Sequence, residues 1–327
     1  MFPTTTSFFI ALTTILHVHV EAAPLPIDIF GSIFGTNEPA ASSLVTALTA
    51  DQVTSKLVRP ALLSRVAYCS AAAVKSMTCD GPCEALGGQV EVVHAEGDDQ
   101  LIPGYYIAID RSINSVVVAH QGTERKNIVS LLNNADFFLE PLPPARFPNV
   151  PAGAEVHDGF LDTFERTADD VLSFVGQALE SSGFTDVLVT GHSLGGAIGM
   201  LDSLMIREAF PDVKITGTFF GVPRTGNEEF ASLIESTFGG SFTTVSNQND
   251  PVPSLPPQLF GYVHANGEVH ITKDEGELDG SDGGIVRCEG RENENCSAGN
   301  SILDTSLGDH NGPYFLGIGF GGGNCRA

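Results

Sequence analysis

Short apolar runs alternate along the chain with stretches whose apolar residues recur at helical spacing. Gly104–Asp110, Ser115–His120, Asp186–Thr190, Lys214–Phe220 and Ser241–Ser246 predict buried strands. Asp162–Glu180 and Gly196–Phe210 predict helices between them. A further helix is predicted to start at Thr49-Ala50-Asp51 and to run past Pro60 to Cys69. Strands and helices in alternation predict an α/β fold with a mixed, mostly parallel sheet covered by helices on both faces. There is no internal repeat or heptad, and about 280 residues suit one domain with ample core.

The front of the chain has a different character. Ser7–Val20 is apolar but dotted with Thr and His, too short to span a bilayer comfortably, and it leads to Val20-Glu21-Ala22. This predicts a secretory signal over residues 1–22 and a secreted, extracellular protein. Residues 23–48, with their Pro, Gly and Ser, predict a propeptide or flexible extension, which leaves 49–327 as the folded domain. No other stretch reaches transmembrane length. The six cysteines fit an export route where thiols pair, and fifteen pairings are open from sequence alone.

Charge narrows the partners. Forty Asp and Glu stand against sixteen Lys and Arg, a net charge of −24, which disfavours nucleic acid and anionic membranes. The acidic run Asp274–Asp282 lacks the full ligand spacing of a calcium loop and predicts a solvated segment. Cys79 and Cys83 have no second close pair at zinc-ligand spacing, so no metal site is expected.

The candidate chemistry centres on Gly191-His192-Ser193-Leu194-Gly195, which closes the Asp186–Thr190 strand and opens a small-residue helix. In that context G-x-S-x-G predicts a serine projected from a sharp strand-to-helix turn, activated as a nucleophile. With the chain order serine, acid, histidine, the base must lie beyond Ser193. His264 and His270 flank Asn266-Gly267 and predict a hairpin whose imidazoles decorate a sheet face, whereas His310 stands in a polar loop rich in breakers. Asp250 leaves the Ser241–Ser246 strand in a proline-fixed turn where it could orient an imidazole. Asp309 is the weaker rival, because sequence neighbours rarely face one another. One oxyanion donor is expected from the backbone N–H of Leu194 at the helix start, the other from Thr123 after the Ser115–His120 strand.

These segments, with Val156–Phe160, Gly221–Asn227, Asn249–Pro253 and the histidine loop, resemble the fungal class 3 lipases of the Rhizomucor and Thermomyces type. The resemblance runs from about Ala67 to Cys325. It implies an α/β-hydrolase fold with a short helical lid, a Ser193–His310–Asp250 triad, and Thr123 and Leu194 lining the oxyanion hole. It further implies disulfides Cys69–Cys325, Cys79–Cys83 and Cys288–Cys296, which compromises the sequon Asn295-Cys296-Ser297. The chain departs from the pattern in having no tryptophan and in reading His120-Gln121 before the oxyanion glycine, which leaves lid and acyl preference open.

A lid is expected after Thr123, where Ile128, Val129, Leu131 and Leu132 fall at helical spacing among polar residues. Four such side chains could tie an open lid to an oil surface, since burying each is worth roughly 1.5–3 kcal/mol. The expectation is therefore a monomeric triacylglycerol lipase working at lipid–water interfaces through an acyl-enzyme, with no cofactor. The alternatives are a feruloyl or other soluble-ester esterase on the same framework, and a catalytically silent hydrolase-fold binding module. A serine peptidase shares the same constellation.

Overall fold

The computed structural model describes residues 44–98, 101–123, 137–273, 283–301 and 304–321. The chain divides into Met1–Ala40 and Ala41–Ala327, and every described residue belongs to the second unit.

The main sheet follows from its apolar runs. Among the described residues it has nine strands, in the order Val45–Ala47, Ile285–Cys288, Glu268–Ile271, Phe242–Asn247, Lys214–Phe220, Asp186–His192, Ser115–His120, Tyr105–Asp110 and Val90–Glu96. The five strands from Glu268–Ile271 to Ser115–His120 pair in parallel, and both flanks are antiparallel. Ser115–His120 is buried throughout, which is why its sequence shows no polar alternation. This is the α/β-hydrolase arrangement, and all five predicted strands lie in it.

Four expectations change. Residues 44–48 are not a free extension: Val45–Ala47 pairs with Ile285–Cys288 as an edge strand, and Leu48 is buried. The helix predicted over 162–180 is two helices, Asp158–Glu165 and Ala168–Ser182, parted where the Thr167 N–H turns back to the Phe164 carbonyl. Asn266-Gly267 does not close a hairpin. Tyr262–Val263 belongs to a separate four-stranded sheet, while Glu268–Ile271 enters the main sheet parallel to Phe242–Asn247. The predicted helix to Cys69 ends at Val66, after a capping box at Thr49 and a π-helical stretch Thr54–Val58.

Cys79–Cys83 and Cys288–Cys296 are disulfides. Cys69 is also disulfide-bonded. Its implied partner Cys325 lies outside the described residues, as do residues 1–22, most of 23–48, the acidic run 274–282, and the lid candidates Ile128, Val129, Leu131 and Leu132.

Candidate active site

Ser193 sits between the strand Asp186–His192 and the helix Leu194–Ala209 with φ +57° and ψ −130°. A non-glycine residue holds such a backbone only where its surroundings enforce it. Here the Ser193 N–H donates to the Phe220 carbonyl at 2.8 Å, pinning the turn to the neighbouring strand. The flanking glycines are steric necessities: a Cβ on Gly191 would come within 2.3 Å of the Gly195 carbonyl oxygen, and one on Gly195 within 2.5 Å of the His120 carbonyl oxygen. Leu194 opens the helix, so its N–H is one of the end amides that lack a partner within the helix. Thr123 is half-buried in the loop after Ser115–His120.

The candidate acid and base meet just beyond the carboxyl end of a parallel strand. Asp250 follows Phe242–Asn247 and uses both oxygens: Oδ1 accepts from the Val252 N–H at 2.8 Å, and Oδ2 lies 2.8 Å from His310 Nδ1. Both side chains are buried, at 1% and 0% exposure. A ring whose Nδ1–H is held by a carboxylate carries its lone pair on Nε2. His310 Nε2 is buried and makes no hydrogen bond, so it is free to accept a proton. No bond joins it to Ser193 Oγ in this state, a gap that such sites commonly close when substrate binds. His310 lies in the short helix Leu307–Asn311, capped by Ser306, rather than in an irregular loop. The rival Asp309 is otherwise engaged, accepting from the Asn249 N–H at 3.1 Å.

Gly221 shows how tightly this corner is packed. At φ +52°, a Cβ there would meet Tyr314 Oη at 2.8 Å, Asp250 Oδ2 at 3.0 Å and His310 Cε1 at 3.1 Å.

Two supports were not read from sequence. The first is neutral. Gly122 N–H donates to Tyr68 Oη at 3.1 Å, Tyr68 Oη lies 2.5 Å from His192 Nδ1, and His192 Nε2 lies 2.7 Å from the His310 carbonyl oxygen. Only an Nε2–H can bond a carbonyl, so His192 accepts from the Tyr68 hydroxyl through Nδ1. Burial, reinforced by the adjacent His310, pushes His192 well below its ordinary 6.5 and keeps it neutral. The relay ties the loop leading to Thr123 to the backbone of His310.

The second support is ionic. Arg224 grips Glu292 at 2.8 and 2.6 Å and donates to the carbonyls of Ser254 and Pro256 at 2.5 and 3.0 Å, fixing the turn that follows Asp250. Burial raises the Glu292 carboxyl, but Arg224 and His264 together outweigh it and hold the group below its usual range. His264 N–H also donates to Glu292, and His264 Nε2 donates to the Pro253 carbonyl, so this histidine braces the same turn. A third buried pair, His120 Nε2 with Asp202 Oδ2 at 2.5 Å, links the strand before Gly122 to the helix after Ser193.

Among the described residues, two groups could bring three metal-binding atoms together. Glu268 with Cys288 and Cys296 is spent, because the two sulfurs form a disulfide. His94, Glu96 and Asp170 stand on the Val90–Glu96 strand and the start of Ala168–Ser182, and include none of the residues above.

A parallel sheet with this elbow defines an α/β-hydrolase. Residues 117–260 match the class 3 lipase family. A secreted mono- and diacylglycerol lipase of Malassezia globosa is 31% identical over 242 residues, 73% of this chain and 74% of the relative. The lipase of Rhizopus microsporus var. chinensis matches with a TM-score of 0.73 and 28% identity, over 87% of this chain and 93% of that one. A triacylglycerol lipase whose catalytic centre is a serine-protease triad matches at TM-score 0.72 and 25% identity, over 85% and 99%. The chain belongs to the class 3 lipases: it is a secreted carboxylic-ester hydrolase acting on lipids. Among the described residues, no helix is long and apolar enough to cross a membrane.

Proposed function

We propose that the protein hydrolyses acylglycerols through Ser193 as nucleophile, His310 as base and Asp250 as the carboxylate that orients it. The observation that carries this reading is the buried Asp250–His310 contact, which leaves Nε2 unbonded on a ring whose centroid lies 4.5 Å from that of His192, the residue before Ser193. His310 takes the Ser193 proton as the hydroxyl attacks the ester carbonyl, and the oxyanion is held by the N–H groups of Leu194 and Thr123. His310 returns the proton to the leaving glycerol oxygen, and water then clears the acyl-enzyme through the same base.

Mono- and diacylglycerols are the substrate class favoured by the name of the Malassezia relative. Triacylglycerol is the second reading, supported by the solved lipase of that type. The proposal includes a monomer, removal of residues 1–22 on export, and a lid over residues 126–138 that opens on oil.

The test is fluorophosphonate labelling followed by hydrolysis of emulsified mono-, di- and triolein. The expected results are a single label on Ser193, none on Ser193→Ala, and faster turnover of partial glycerides. A label elsewhere overturns the site, and faster turnover of triolein overturns the substrate preference. A rate on a short ester that stays smooth across its solubility limit overturns the lid.

A further inference from the structure

We propose that a cleft at the amino ends of the parallel strands, opposite the active site, binds a long-chain carboxylate, the class of product that ester hydrolysis releases. The cleft holds about 470 Å³, within the range of small-molecule sites. Lys214 and Ser115 are the first residues of their strands, whereas Ser193 follows the end of its own, so the two sites lie at opposite edges of the sheet.

Its lining is unusual for this chain. Lys56, Arg59, Lys214 and Arg287 all contribute, four of only sixteen cations in a protein with forty acids. None of the described residues that line it is acidic. Arg59 is neutralised by Asp110 at 2.6 Å and Lys214 by Asp186 at 3.7 Å. Lys56 and Arg287 form no salt bridge among the described residues, although acids outnumber bases by more than two to one. Two uncompensated cations sharing a concave surface focus a positive field where the rest of the molecule is negative. Leu48, Leu57, Ile113 and Leu188 supply an apolar wall beside them. A cationic rim on an apolar wall fits an anion carried on a hydrocarbon chain, and fits a compact inorganic anion or a neutral lipid less well.

The test is calorimetric titration of dodecanoate into enzyme whose nucleophile has been blocked with an alkyl phosphonate, so that the acyl groove is filled. The expected result is one saturable site, with affinity falling at least tenfold in the Lys56→Glu/Arg287→Glu variant and retained in Arg287→Lys. Dodecanol, of equal length and uncharged, is expected to bind the unmutated protein at least tenfold more weakly, a comparison that needs no variant to fold. No saturable binding, equal affinity in the charge-reversed variant, or equal affinity for dodecanol overturns the proposal. The loss caused by charge reversal is also read without the phosphonate, so failure of Ser193 to take the label counts against the nucleophile and not against the cleft.

Discussion

The turn after Asp250 is clamped by a charged pair, whereas the contacts that tie the loop before Ser193 to His310 are neutral; the buried His120–Asp202 pair joins only the strand and helix on either side. The turn after Asp250 is clamped by Arg224 and Glu292, both nearly excluded from water, and four carbonyl and carboxylate acceptors converge on one guanidinium. The loop and turn that flank Ser193 are joined to His310 by Tyr68 and an uncharged His192. The difference suits the chemistry. An ion beside the oxyanion site would alter the field in which charge develops, whereas neutral dipoles position the donors and leave that field to the amides. The acid half must hold a buried carboxylate, and a rigid turn fixes its distance from His310 whatever the state of the substrate.

Each half can be broken separately. Asp250→Asn keeps the shape but lets the imidazole adopt the wrong tautomer, and kcat is expected to fall about 10⁴-fold with little change in KM. A fall below tenfold would remove Asp250 from the mechanism. On the other half, Gly195→Ala must displace the backbone of His120 or Gln121, because the added methyl would sit 2.5 and 2.6 Å from their carbonyl oxygens. That shift moves the donors on either side of Ser193, and kcat is expected to fall about 10²–10³-fold, the loss typical of one oxyanion donor. Single-turnover acylation measures it, and a normal acylation rate would show that the loop and the helix start can move apart without cost to the site.

The two halves were not equally legible. Ser193 and Asp250 stand at strand exits and His310 in a short segment near the end of the domain, all marked by Gly, Pro and Asn, and the apolar runs of the parallel core have no periodicity to misread. The supports left no such mark. Tyr68 meets His192 across 124 residues, and Glu292 meets Arg224 across 68, in segments that carry no local pattern. Asn266-Gly267 has hairpin chemistry, but the partner strands on offer in the main sheet outcompete the local one. The break between Asp158–Glu165 and Ala168–Ser182 hides because apolar residues keep helical spacing across it.

The smallest expected effect separates the halves by pH. Glu292 has a folded value below its unfolded value of 4.5, so the stability it contributes is present above pH 4.5 and is lost as pH falls through the folded value. Replacing it by Gln removes a charge-assisted contact and is expected to cost about 2 kcal/mol at pH 7. That deficit should hold constant down to about pH 5 and shrink below 4.5, as the wild type loses what the variant never had. His192 obeys the same sign in a higher window. Its folded value lies well below 6.5, so the wild type loses stability as pH falls from 6.5; buried His264 and His270 act with the same sign there, and His192→Gln is expected to make that part of the curve less steep while leaving the limb below 4.5 intact. Thermal unfolding of both variants and the wild type between pH 8 and 3 measures the two windows. A Glu292→Gln deficit that stays undiminished at pH 3 would mean that the loss does not come from the charge of the carboxylate, and the contrast between an ionic clamp and a neutral relay would fail.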